Sequence, residues 1–410
     1  MHILILSDFF PPQVNTGAEN IVFELSQGYR NKGHKVSVVT INKSLKRGEL
    51  IVDNDSEITC YQIGSNYNEK LSGYVGLYNP TVLKVIKKII IYNNFEVAHI
   101  HNIHTYISYI VIRLLEKHKI TAFLTVHDAM SIDYGKYDQG VSNVDHSLNA
   151  HVDYQTNHFE IWKKHWKRYN LIRNIIIKHQ FNKLNKIVCV SRELEKLLNA
   201  NGIVNTQVIH NGVTIINQPS NQDVESFKRK IGISANAKDK VILFAGRVST
   251  AKGLNQVQKL IKKLIKKDSN IKLLVAGKEV NVDVEIVNNT INTGWLSKKE
   301  MDLAYSISDI TLVPSIYLDP FPTVALESMR LGVPLIVSVY TGAKEAVNDG
   351  ITGFYVNPFD VDDFAEKTLN ILHNLDLSNS MSNRSKQEFR KRFTSEICVN
   401  KYLDLFQINN

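Results

Sequence analysis

Apolar residues along this chain fall into short runs that alternate with amphipathic stretches. "HILIL" is followed by a loop with Pro11, Pro12 and Gly17, then by "GAENIVFELSQGYRNKG", with apolar residues at 21, 22 and 25 and a glycine stop at Gly33. That pattern predicts a strand and then a helix. "HKVSVVT" predicts the next strand, so the first ~35 residues form a strand–helix–strand unit, which requires a parallel sheet. "FEVAHIH" and "TAFLTVH" predict two further strands, with a helical run from Tyr106 to Lys117 between them. "KIVCVS" predicts another, with Ser191 placed to cap a helix over "RELEKLLNANG".

A polar stretch, "TIINQPSNQDVESFKRKIGISANAKD", predicts a linker and the entry to a second domain. "KVILFA" restarts the alternation. "LNQVQKLIKKLIKK" carries apolar residues at 254, 257, 260, 261, 264 and 265, a helical period. "IKLLVAG", "DITLVPS" and "PLIVS" predict strands, and the segment from Phe393 through "CVNKYLDLF" an amphipathic helix. Two doubly wound α/β halves are therefore expected, with ligands at the C-terminal strand ends lining the cleft that the halves face.

Length and composition agree. The 410 residues suit two or three domains by the prior of ~150 residues each. A net charge of +9 favours anionic partners without choosing among them. The three cysteines, Cys60, Cys189 and Cys398, are odd in number and form no C-x-x-C pair, which speaks against a disulfide framework or zinc site and for a reducing cytosol. "MHILILSDFF" has neither a basic flank nor a cleavage site and reads as a strand. No run of ~18 apolar residues predicts a membrane span. Asp53 and Asp55 make a D-x-D, a spacing that holds a metal in one fold of sugar-transferring enzymes, but "DND" between two alternating runs reads as a hairpin turn.

Two stretches carry candidate chemistry. In "FAGRVSTAKG" a strand ends at Ala245, and Arg247, Lys252 and Gly253 open the next helix. Two cations beside a helix N-terminus suit a diphosphate, although they would look the same as two solvated loop residues. In "SIYLDPFPTVALESMRLGVPLIVS", Asp319 and Glu327 flank a stiff turn formed with Pro320 and Pro322. There is no G-x-G-x-x-G after the first strand, which counts against a nicotinamide or flavin enzyme. No P-loop and no G-x-S-x-G turn occur either.

Taken in order, "GAEN", "TVHD", "VCVS", "VIHNGV", "GRVSTAKG", "LLVAG", "NTGWLSKKEM" and "DPFPTVALESMRLGVPLIVS…GAKEAVNDGITGFYV" resemble the retaining glycosyltransferases of family 4 (glycosyl transferases group 1). The resemblance runs nearly end to end and is most specific in the C-terminal half. It implies the GT-B fold: an acceptor-binding Rossmann-like domain over 1–215, a nucleotide-sugar-binding one over 216–392, and a terminal helix over 393–410 packing back on the first. It implies transfer of a sugar, of hexosyl type, from a nucleoside-diphosphate sugar to a hydroxyl acceptor with retention, in surface polysaccharide or glycolipid assembly. No cofactor or metal is expected; the nucleotide sugar is a co-substrate. The enzyme would be cytoplasmic, with room for peripheral contact to the inner membrane face, and would bind no nucleic acid.

By the same resemblance, Arg247 and Lys252 hold the diphosphate and Gly17 lets the first loop approach it. The backbone at Trp295 and Leu296 faces the base, and Glu327 takes the ribose hydroxyls. Asp319, with the backbone of Phe321, Pro322, Thr323 and Val324, holds the sugar. His127 contacts the donor sugar near the reaction centre, and the catalytic set is His127, Arg247, Lys252 and Asp319. His101, Asn102 and Asp128, with His104 nearby, are candidates for the acceptor side. The chain departs from the family at Asp319, often Glu, and at Thr214, often an acid. A nucleotide-sugar 2-epimerase and a non-catalytic sugar-nucleotide-binding partner subunit are the alternatives. Finally, "IWKKHWKRYNLIRNIIIKHQFNK" (161–183) is basic and aromatic, which suits either an anionic lipid surface or a solvated helix face.

Overall fold

The structure, a computed structural model, describes residues 1–13, 17–54, 57–166, 169–233 and 239–408. The chain divides into two compact units. The first comprises Met1–Tyr137, Tyr154–Thr214 and Ser395–Asn410, the second Asp138–Asp153 and Ile215–Thr394.

The first unit contains β1 (His2–Leu6), β2 (Lys35–Asn42), β3 (Leu50–Asp53), β4 (Thr59–Gly64), β5 (Val97–Ile100), β6 (Thr121–Val126), β7 (Lys186–Cys189) and β8 (Thr206–Val208). They form one sheet in the order β3-β4-β2-β1-β5-β6-β7-β8. All neighbours are parallel except β3 and β4, the hairpin expected after Asp53, whose partner in register is Cys60. Asp55 lies outside the described residues. Strands β1, β5 and β6 are buried nearly throughout, as a parallel sheet covered on both faces requires. Ser191 caps its helix as expected, its side chain accepting from Leu194 N at 3.2 Å. The last helix, Ser395–Ile408, packs against Gly17–Asn31. A Cβ on Gly28 would come within 2.3 Å of Val399, so that approach requires glycine.

The helix expected from Tyr106 begins only at Val111. The cause is Asp8. Its buried carboxylate accepts the backbone N–H groups of Thr105 (2.7 Å), Tyr106 (3.1 Å) and Ile107 (2.7 Å), holding 101–110 as a loop. The basic stretch is likewise two helices, His158–His165 and Arg173–Phe181, the first ending where Trp166 takes a left-handed φ of 49°.

The second unit holds β9 (Lys240–Gly246), β10 (Ile271–Gly277), β11 (Thr290–Gly294), β12 (Ile310–Val313), β13 (Leu335–Ser338) and β14 (Gly353–Val356), all parallel, in the order β11-β10-β9-β12-β13-β14. By position along the chain this is 3-2-1-4-5-6, so the strand order reverses between β9 and β12. Alternate residues of β9 serve opposite faces. Ile242 and Phe244 join Val257, Leu260 and Ile261 of helix Leu254–Ile265, whereas Val241 and Leu243 join Tyr305 and Leu331 on the other side. The helices after β9 and β12 therefore leave the sheet on opposite faces and open a crevice at the strand ends. The expected linker contains a helix, Asn221–Lys230. Ser220 caps it, accepting from Asp223 N at 3.1 Å, and Phe227 enters the core.

Asp138–Asp153 groups with this unit although it interrupts the chain of the first. Asn357 Nδ2 donates to the carbonyls of Asp145 (2.8 Å) and Ser147 (2.9 Å), and Tyr340 OH to that of Ser142 (3.1 Å). Both side chains are buried, so these bonds are shielded from water.

Candidate functional site

In the second unit Arg247, Lys252, Asp319 and the Phe321–Glu327 segment gather at the β9–β12 crevice. β9 ends at Gly246 (φ 105°), whose added Cβ would lie 3.9 Å from Val324 in the first turn of helix Thr323–Leu331. Arg247 follows, exposed, with no hydrogen bond or ion pair to another described residue. Lys252 closes the short turn Thr250–Lys252. Gly253 then takes φ 88°, and a Cβ there would meet the Pro314 carbonyl oxygen at 2.1 Å. Left-handed backbone and close approach both demand glycine. Ile316 N donates to Ala251 O at 2.9 Å, so the turn after β9 lies directly on the loop after β12.

Lys252 Nζ forms an ion pair with Asp319 Oδ2 in that loop and lies 5.6 Å from the centre of the Tyr317 ring. Asp319 is fixed at both ends. Ser315 Oγ donates to Oδ2 at 3.0 Å, and its carbonyl accepts from Gly342 N (2.8 Å) and Thr341 Oγ1 (3.0 Å). Phe321 is buried beside Phe393, with ring centres 6.0 Å apart. Pro322 precedes helix Thr323–Leu331, so the N–H groups of Thr323 and Val324 have no partner within it.

Glu327 is four residues past Thr323 and shares its helix face. It accepts from Tyr305 OH at 2.8 Å. Burial and the Glu327 carboxylate raise the Tyr305 hydroxyl well above its usual range, so it stays a donor. Asp302 is raised by burial and lowered by Arg330, its ion-pair partner. Asp319 and Glu327 therefore have separate partners and are not a pair. Leu296 is half-buried on the core after β11, beside exposed Trp295.

In the first unit, His101 and Asn102 follow β5, His127 and Asp128 follow β6, and Gly17 opens helix Gly17–Asn31. His101 Nδ1 and His127 Nε2 share a hydrogen bond of 3.0 Å, the rings stacked at 5.3 Å. His99 packs behind His101 at 4.1 Å between ring centres. It is bonded to Tyr29 OH (3.0 Å) and to Thr125 Oγ1 (2.7 Å). Thr125 Oγ1 also meets Tyr402 OH of the terminal helix at 2.9 Å. His104 Nε2 lies 3.9 Å from Asp128 Oδ2. A small cavity of about 20 Å³ is lined by His101, Asn102, His104, Asp128 and Ser131.

Sequence reasoning missed Ser315, Thr341, Tyr305 and His99. His99 had a signal, since residues two apart in a strand share a face and "HIH" spans β5 and its end. Tyr305 had none, standing 22 residues from Glu327 in another helix.

Burial lowers all three imidazoles: His99 to about 3, His127 to about 4, and His101 well below 6.5. As pH falls below 6.5 the unfolded chain binds these protons first. The column's stability is therefore complete above about pH 6.5 and declines as pH falls toward 4. Histidine ring resonances in a proton–carbon NMR titration should show His99 and His127 unchanged from pH 8 to 5.5. A midpoint near 6.5 at either would contradict this account.

Comparison with known proteins adds the family. Residues 224–388 match the description "Glycosyl transferases group 1", and 15–215 match "Glycosyltransferase Family 4". A protein of the Klebsiella pneumoniae cps region, itself uncharacterised, is 26% identical over 86% of this chain and 88% of its own. An uncharacterised Methanocaldococcus jannaschii glycosyltransferase is 24% identical over 54% of this chain and only 60% of its own length. The capsular polysaccharide biosynthesis glycosyltransferase CapM of Staphylococcus aureus is 28% identical over 38% and 43%. A glycosyltransferase structure from Rickettsia africae superposes with a TM-score of 0.70 at 20% identity, covering 100% of this chain and 98% of that one. Anabaena HepE with UDP and glucose gives 0.68 at 15%, covering both chains fully. Two doubly wound parallel-sheet units and two ordered family matches make this chain a GT-B glycosyltransferase of family 4, group 1.

Proposed function

We propose that the chain transfers a sugar, of hexosyl type, from a nucleoside-diphosphate sugar to a hydroxyl acceptor with retention of configuration, in surface polysaccharide or glycolipid assembly. The observation that carries the reading is the β9–β12 crevice, where Arg247, Lys252 and the N-termini of two helices meet at one strand-order reversal. Those groups suit a diphosphate. Charge on the leaving phosphate grows as the bond from the sugar C1 breaks, so Arg247 and Lys252 bind the transition state more strongly than the ground state. The acceptor oxygen bonds to C1 on the face the diphosphate leaves, and its proton passes to a leaving phosphate oxygen.

Asp319 Oδ1 takes a hydroxyl of the sugar, since Oδ2 is occupied by Lys252 and Ser315. Glu327, oriented by Tyr305, takes the ribose. The loop at Leu296 faces the base, and Gly17 the diphosphate. His127 meets the donor sugar, while Asn102 and Asp128 face the acceptor. The reaction needs no metal or cofactor, because two side-chain cations supply the positive charge. The similarity to CapM, a capsular polysaccharide biosynthesis glycosyltransferase, supports the polysaccharide assignment.

Arg247→Ala should leave folding intact, since the side chain is exposed, and lower kcat/KM by about 10²–10³-fold. Unchanged transfer would contradict the reading. Proton NMR of the first-formed product reads the linkage, and an inverted anomer would overturn retention. Turnover of donor with no acceptor requirement and a changed sugar would mark a 2-epimerase; binding without turnover would mark a partner subunit.

A membrane-surface location, with the enzyme in the cytoplasm, belongs to the same proposal. Phe159, Trp166, Leu171, Ile172 and Ile175 are exposed alongside Lys163, Lys164 and Lys178. Large apolar groups among lysines suit an anionic lipid interface. No helix among the described residues is long and apolar enough to cross a membrane. Flotation with phosphatidylserine vesicles should carry the protein at physiological salt, and with phosphatidylcholine alone should not. Failure with both would remove the membrane from the account.

A further inference from the structure

We infer that His101 is the positioning residue of His127: it donates from Nδ1 to His127 Nε2 and so fixes His127 as the tautomer whose Nδ1 carries the proton. His101 has 1% of its surface exposed, too little to serve as an acceptor contact itself. It sits behind His127, sharing the 3.0 Å bond. Both rings are neutral at pH 7, so that bond contains one proton, and each ring has one proton to place.

Two arrangements satisfy the bond. If His127 donates, the proton of His101 must sit on Nε2. If His101 donates, its Nε2 is a bare lone pair and the proton of His127 sits on Nδ1. His101 Nε2 decides between them, being buried with no hydrogen-bond partner among the described residues. No described group stands ready to accept from an N–H there, so the proposal places the lone pair at Nε2. His127 is half-buried, and its Nδ1 has no partner among the described residues. In this tautomer Nδ1–H is a hydrogen-bond donor, suited to a sugar hydroxyl oxygen. The nitrogen a histidine offers is set by the bond its other nitrogen makes.

The layer behind supports the assignment. His99 is held at both nitrogens, by Tyr29 OH and by Thr125 Oγ1, and stacks on His101. Thr125 is tied in turn to Tyr402. The plane of the His101 ring is therefore backed by a fixed surface, and the 3.0 Å bond keeps its Nδ1 on His127.

The deduction of the tautomer stands on the imidazole pair alone; its catalytic consequence rests on the glycosyl-transfer reading. The test therefore has two readouts. The first is the His127 tautomer, by two-bond nitrogen–proton NMR of the full chain. The second is steady-state kinetics with a sugar nucleotide. The variants are His101→Asn, whose amide takes the place of Nδ1, His101→Gln, whose amide takes the place of Nε2, and His101→Ala.

The wild type and His101→Asn should show the proton on His127 Nδ1, and the Gln and Ala variants a shift of the proton to Nε2. In the latter two kcat should fall about tenfold or more, with donor KM changed less than about threefold, and His101→Asn should recover most of that loss. A His127 tautomer identical in all four proteins, or a proton on Nε2 in the wild type, would overturn the assignment. A tautomer that moves while kcat does not would leave the assignment standing and overturn its catalytic consequence. If the tautomer moves as expected but no sugar nucleotide is turned over, the positioning stands and the glycosyl-transfer reading fails. Melting curves guard against misfolding of the Ala variant, and the Asn and Gln pair then decides.

Discussion

The ion pair between Lys252 and Asp319 joins the two loops on which the second unit's candidate site is built. Lys252 ends the turn after β9, and Asp319 lies in the loop after β12. These are the strands between which the sheet order reverses, and their helices pack on opposite faces. Nothing in the sheet's own hydrogen bonding joins the loops. They are brought together by the pair, by Ile316 N bonding to Ala251 O, and by the glycine at 253 that lets the backbone reach Pro314. The partly buried pair also stores the Lys252 charge beside a carboxylate. On the proposed reading a diphosphate would share that lysine with Asp319, which would couple the position of the sugar clamp to the position of the phosphate.

The first unit solves a different problem. Three imidazoles in one column would repel if charged, and burial keeps them neutral. Two are oriented by a neighbour instead: His99 by Tyr29 and Thr125, and His127 by His101. Asp8 does similar work for the adjacent loop, its carboxylate gathering three successive backbone N–H groups that would otherwise continue toward a helix. Asp8 is raised by its own burial, and nearby His104 together with these hydrogen bonds favours its charged form.

Much of this was legible in the sequence, and the part that was not has a common cause. Alternation of buried runs and amphipathic stretches revealed the strands, the helix Leu254–Ile265 and the cap at Ser191, because those depend on neighbours in the chain. The helix Asn221–Lys230 was hidden in a polar stretch, since Phe227 is its one buried residue. The late start of helix Val111–Lys117 was hidden because its cause is Asp8, about a hundred residues earlier. The site divides the same way. Arg247, Lys252, Asp319 and Glu327 stood out in two local motifs. Their supports, Thr341, Tyr305 and Ser315, are fixed by tertiary contact, and only "HIH" left a mark of its partner in the chain.

The central claim is that Lys252, delivered to the β9–β12 crevice, binds a nucleoside-diphosphate sugar. Its most direct test is the melting temperature of the full chain with a panel of uridine and guanosine diphosphate sugars. A ligand at a hundred times its Kd adds about 2.7 kcal/mol to the folded state. The account predicts that at least one sugar nucleotide raises the melting temperature of the wild type and that Lys252→Ala loses most of that rise. No shift with any donor, or an equal shift in Lys252→Ala, would contradict it.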